Sequence, residues 1–137
     1  MDESINLVLF SGTDDKLQAA AILTAGAAAL GKPVNVFLQY WALDAFRAER
    51  IEGDHGLAPE AGEEGRGHVE ALRIAGQASW AETLRQAKDL GGVDIQACSL
   101  SMDLLGIEQE DLDPLVDGVE GVTAFYLNAG EGQLIFI

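Results

Sequence analysis

Val93-Asp94-Ile95-Gln96-Ala97-Cys98-Ser99-Leu100-Ser101-Met102-Asp103-Leu104-Leu105-Gly106 holds a strand, a turn into a helix, and that helix's stop. Val93 to Ala97 reads as a strand, and Cys98 follows it directly. Ser99 to Leu105 reads as a short helix or helical turn, ended by Gly106. Just upstream, Ser79-Trp80-Ala81-Glu82 has the spacing of a capping box, with Ser79 at the cap and Glu82 three residues on. The helix it opens puts Trp80, Leu84 and Ala87 on one face and closes at Gly91. A helix feeding a strand that feeds another helix is the repeating unit of a parallel sheet.

The same alternation extends in both directions. Ile5, Leu7, Val8, Leu9 and Phe10 form a short apolar run suited to a buried strand. Ser11 to Asp15 turns the chain into an alanine-rich helix that runs to about Leu30, with Thr13 or Asp14 as candidate caps and Gly31 at its end. Pro33 opens a second strand, Val34 to Leu38, because proline is tolerated at a strand's first residue. Tyr40 and Trp41 follow, and then a short helix from Ala42 to about Ala48. Residues 49–67, with five glycines, a proline and a run of acids, read as a surface loop. His68 to Ile74 fits one or two helical turns. In the tail, Leu115 to Val119 is a candidate strand, Val122 to Asn128 a helix, and Gln133 to Ile137 a final strand. The expectation is an α/β fold in a single domain over residues 1–137, with a mostly parallel sheet of about five strands.

Composition narrows the function classes. A length of 137 residues fits one domain, and 48% hydrophobic residues argue against disorder. One cysteine excludes an intramolecular disulfide framework and a cysteine-based zinc cage. The two histidines, His55 and His68, stand apart from any ligand pattern, so neither a metal nor a cofactor is expected. A formal charge of −15 opposes binding to nucleic acid. The chain has no apolar run of membrane-spanning length, and the expectation is a cytoplasmic protein. The acids gather late: Lys88 is the last base, and Glu108, Glu110, Asp111, Asp113, Asp117 and Glu120 crowd one segment. Solubility, a docking face for a basic partner, and adaptation to high salt each account for that crowding.

Ligands and reactive groups in parallel sheets gather at the carboxyl ends of the strands. Three segments fall there: Ser11 to Asp15, Gln39 to Trp41, and Cys98 to Met102. Cys98 sits where a helix begins, and the N–H groups of a helix start favour the thiolate, the nucleophilic form. Ser99 and Ser101 are candidates to support that anion; Asp103 opposes it. On position alone, a cysteine at a strand end is more often a small buried hydrophobe. Without a CxxC pair, dithiol chemistry lacks support. A lone thiolate can still accept a sulfur atom and hand it to another thiol, with no metal and no second cysteine. Ser11, Gly12, Tyr40, Trp41 and Met102 are the candidate pocket-lining residues. Ser11-Gly12-Thr13 lacks the spacing and lysine of a P-loop and reads as a plain turn.

Gln96-Ala97-Cys98-Ser99-Leu100-Ser101-Met102-Asp103-Leu104-Leu105-Gly106-Ile107 resembles the DsrE/DsrF-like family, in the branch labelled peroxiredoxin-like. That branch carries a cysteine, a nearby Ser-Met-Asp and then a Gly-Ile after its third strand. Val36 to Leu43 resembles the family's aromatic segment, and Leu134 to Ile137 its terminal strand. The likeness spans most of the chain and is least at residues 49–78. It implies a flavodoxin-like three-layer α/β sandwich and homo- or hetero-oligomers. It also implies a sulfur carrier or sulfurtransferase in which Cys98 bears a persulfide. The implied partners are sulfur donor and acceptor proteins or small sulfane-sulfur compounds. The alternatives are a non-catalytic ligand-binding or assembly module with a structural Cys98, and a thiol peroxidase. The last would need an activating arginine, for which Arg47 and Arg85 are the candidates.

Overall fold

Strand β1, Ile5–Leu9, sends successive side chains to opposite faces, and both faces bury them. Leu7 and Leu9 enter one apolar cluster, whereas Val8 enters another. The computed structural model describes residues 3–137 and shows why the run carries no polar alternation: helices cover the sheet on both sides. Among the described residues the sheet has five strands: β1, β2 (Val34–Leu38), β3 (Val93–Cys98), β4 (Gly118–Glu120) and β5 (Gln133–Phe136). They are ordered β4-β3-β2-β1-β5, and every pairing is parallel.

One layer holds α1 (Asp14–Ala29) and α4 (Trp80–Leu90), packed on each other and on the sheet. The short helices α2 (Tyr40–Ala45) and α5 (Ser99–Leu105) extend this layer, giving Leu43 and Met102 to its cluster. The opposite layer is α6 (Val122–Ala129), whose Phe125 stacks on Phe37 at 4.9 Å between ring centroids. The chain is thus a three-layer α/β sandwich with a full layer on one face and one short helix on the other.

Local chemistry explains the boundaries. In the capping box before α4, the Ser79 hydroxyl accepts from the Glu82 amide, and the Glu82 carboxylate accepts from the Ser79 amide. Gly106 ends α5 with a left-handed backbone, φ 68°, which glycine adopts without a Cβ clash. The start of α1 departs from expectation. Thr13 is at the cap position but makes no side-chain cap bond. Asp14 instead accepts from the Trp80 indole N–H and the His55 amide, and Asp15 from the Ala58 amide. Burial alone would raise the Asp15 carboxyl; hydrogen bonds, those from the Ala58 and Lys16 amides among them, outweigh it and hold the carboxyl below its ordinary value. These acids moor the following segment to α1.

Residues 49–67 are not loop throughout. A 3-10 turn occupies Pro59–Ala61, and α3 runs from Gly62 to Ile74, taking in three of the glycines. Its second half, His68 to Ile74, is the stretch that reads as helical turns; none of the residues of α3 is buried, so no apolar stripe extends that reading back to Gly62. β4 is shorter and later than Leu115–Val119, because Leu115 and Val116 pack as irregular chain against the main cluster. The helix α2 begins at Tyr40, two residues before the expected start.

Candidate functional site

The chain leaves β1, β2 and β3 toward the α1–α4 layer but leaves β4 toward α6. Adjacent parallel strands whose connections diverge in this way open a crevice at their carboxyl ends. The last residues of those two strands are Cys98 and Glu120, and they are register partners. Their Cα atoms therefore stand about 4.8 Å apart, with both side chains on the α6 face. The turns beyond them also meet: a Cβ on Gly121 would lie 3.9 Å from the Ser99 hydroxyl.

Cys98 ends β3 and is at once the N-cap residue of α5. Its sulfur accepts the Ser101 amide N–H at 3.5 Å, taking the place of the usual capping oxygen. The support comes from the Ser101 backbone, not from either serine hydroxyl; Ser99 is exposed. Cys98 is only 6% exposed and is enclosed by Val8, Phe37 and Phe125. Glu120 is half-buried. Burial pushes its carboxyl above the ordinary value, and the charge of Asp94, further down the same face of β3 beyond Gln96, adds to the effect. In the resting arrangement it accepts a long hydrogen bond, 3.4 Å, from the Asn128 side chain.

The other candidate residues separate from Cys98. Ser11, Gly12 and Trp41 line a cavity of about 360 Å³ beside the start of α1, together with Lys16, Arg50 and His55. Neither Cys98 nor Met102 lines it; Met102 is buried on the α1–α4 side. Gly12 is required there, since a Cβ would collide with the Trp41 carbonyl. Tyr40 packs between Phe10 and Trp41 and adopts φ 43°, a strained conformation for a bulky residue.

His55 packs on Trp80 on the α1–α4 side, and His68 is exposed on α3. Arg47 is engaged by Asp44 and Glu49, and Arg85 by Glu52 and Asp113. Much of the acidic 108–120 segment serves the fold: Asp113 holds Arg85, Asp117 holds Lys88, and Glu108 and Asp111 close a 3-10 turn. Among the described residues, no group of three or more His, Cys, Asp or Glu is placed to hold a metal ion, and no helix is long and apolar enough to cross a membrane. Glu120 was invisible to sequence reasoning as a site residue, because its partner is set by strand register; its place at the end of β4 is the only signal.

Comparison with known proteins places this geometry. MTH1491 from Methanobacterium thermoautotrophicum, a protein of unknown function, superposes with a TM-score of 0.52 at 18% identity, covering 99% of this chain and all of that one. The ychN protein from E. coli gives 0.56 at 16% identity, covering both chains fully. These likenesses establish the shared fold. In sequence, the uncharacterized protein YrkE of Bacillus subtilis (strain 168) is 31% identical over 149 aligned positions, covering 93% of this chain and 92% of that protein. The model of the DsrE/DsrF/DrsH-like family matches residues 1–59 and 69–137, leaving out only the stretch that opens α3. A match that takes in all five strands, Cys98 and Glu120 means that this chain belongs to the DsrE/DsrF/DrsH-like family.

Proposed function

We propose that Cys98 accepts sulfane sulfur, holds it as a persulfide, and passes it to the thiol of a partner protein. The observation that carries this reading is the Ser101 N–H aimed at the Cys98 sulfur at the divergent strand ends. An amide N–H so placed is a donor that a sulfur held at Cys98 can use during transfer. Membership of a family linked with sulfur relay supports it. The burial of Cys98 makes access a separate step. Its cover on the α6 side is one eight-residue helix, joined to β4 through Gly121 and followed by Gly130. Opening such a unit costs far less than global unfolding.

Homo-oligomerisation belongs to the same proposal. Phe136 is 63% exposed and Leu127 78%, with Tyr126 also exposed, all on the thinly covered face. Large exposed apolar side chains gathered on one face favour an interface.

The test is intact mass after incubation with a polysulfide donor, comparing wild type with Cys98→Ser, before and after dithiothreitol. The expected result is a sulfur-sized gain that requires Cys98 and disappears on reduction. Reduction distinguishes it from a sulfinic acid, which does not reverse. A native Cys98 that stays unmodified while the unfolded chain reacts would favour the second reading. In that reading Cys98 is a packed side chain and the Ser11–Trp41 cavity binds a small ligand; the burial of Cys98 is the observation on its side.

A further inference from the structure

We infer that Glu120 is the group that takes up and returns the Cys98 proton during sulfur transfer. The inference rests on the proposed sulfur-carrier role and adds the acid–base residue to it. Three observations carry it. Glu120 is the register partner of Cys98 on the neighbouring strand, so both side chains rise from the same face at the same level. The two residues end the only adjacent pair of strands, among those described, whose connections part to opposite layers. The histidines, the commonest bases for a cysteine, lie elsewhere: His55 on the far side of the sheet against Trp80, and His68 on the exposed α3.

The surroundings suit a carboxyl that changes protonation state. The titratable group of β3 whose charge acts on Glu120 is Asp94. From α6 it meets the neutral Asn128, and α6 carries no charged side chain. Lys88 of α4 is held by Asp117. Among the described residues no cation pairs with Glu120, and burial with the Asp94 charge brings its carboxyl closer to the protonated form.

With a small persulfide, R–S–SH, as donor, the step balances without an added oxidant. Glu120 turns from Asn128 and accepts the Cys98 S–H proton. The thiolate attacks the terminal sulfur of the donor, the donor S–S bond breaks, and the Cys98 S–S bond forms. The departing R–S⁻ takes the proton from Glu120, leaving R–SH and the Cys98 persulfide. Passing the sulfur on to an acceptor thiol runs the same steps in reverse.

The experiment is the rate of persulfide loading from a cysteine persulfide donor, followed by intact mass against pH, for wild type, Glu120→Gln and Glu120→Ala. Both variants are expected to load at least about 100-fold more slowly than wild type at neutral pH, the scale of a general acid–base contribution. Added acetate, at constant ionic strength, is expected to speed Glu120→Ala and leave wild type unchanged. Variants that load at the wild-type rate overturn the assignment of Glu120 and leave the sulfur-carrier role standing. Slow variants that acetate does not rescue also overturn it, since a structural loss is not mended by a free carboxylate. A wild-type protein that takes up no sulfur overturns the carrier role, and the assignment with it.

Discussion

The two faces of the sheet are built on different terms. Toward α1 and α4, Leu7, Leu9, Val36, Leu38 and Ile95 lie under a continuous apolar layer that includes Phe46 and Trp80. Toward α6, the same strands present Asn6, Asn35, Asp94 and Gln96 below, and only Val8, Phe37 and Cys98 above. The buried Asn6 is satisfied there: its amide donates to Ser4 and to the Gln133 carbonyl, and its oxygen accepts from Asn35. The first face has the composition of a core. The second combines a sulfur, carboxyls and uncovered aromatics, the materials of chemistry and contact. One sheet thus carries the main core on one face and the proposed site on the other.

Truncation should expose that division most sharply. Phe46 is fully buried and its ring lies 5.1 Å from that of Trp80. Phe46→Ala is expected to cost about 3–5 kcal/mol in urea unfolding. Phe136→Ala on the other face is expected to cost less than about 1 kcal/mol in the dissociated protein. Equal losses would erase the distinction between the faces.

A charge placed on the thin face should act on assembly instead. Leu127→Glu is expected to shift the mass seen by light scattering toward the monomer and to leave the urea midpoint of that monomer nearly unchanged. An unaltered mass would overturn the proposed interface on α6.

The smallest effect concerns Glu120 as a contributor to stability. Its carboxyl is held above the ordinary glutamate value, chiefly by burial, so the folded chain binds that proton more tightly than the unfolded chain does. The resulting stability is complete below the ordinary glutamate value and is lost as pH rises through the raised one. Glu120→Gln should therefore compare more favourably with wild type at neutral pH than in acid. The change is expected to stay below about 1 kcal/mol, because solvent screens a partly exposed carboxyl. An identical difference at both pH values would show that the carboxyl is unperturbed.

These contrasts also mark what the chain made legible. Ser79 and Glu82, Pro33, Gly91 and Gly106 announced boundaries because capping and glycine effects are local. The parallel sheet followed from alternation, and Cys98 from standing where a strand runs into a helix. α3 went unread as a helix from Gly62, because a helix that buries nothing leaves no periodic trace and its glycines argue for a loop. Ser11 and Trp41 were grouped with Cys98 because all three stand at strand ends. The face of the sheet divides them: Cys98 turns toward α6 while Ser11 and Trp41 line the cavity at the start of α1, and the face a residue takes depends on the assembled sheet, which is not a local property. The pairing of Glu120 with Cys98 is hidden for the same reason: it is made by register across an intervening helix.

The strand order also sets a timetable. β1 lies inside the sheet, yet one of its two neighbours is the last strand in the chain; Asn6 waits for the Gln133 carbonyl, 127 residues further on. A chain emerging amino end first can pair β1 with β2 early but must hold the other edge of β1 open until β5 has been made. Long-range parallel pairing is slow to form, and an open strand edge invites neighbouring chains. The nascent protein's period of greatest exposure to aggregation therefore ends with β5, whatever the stability of the finished sandwich.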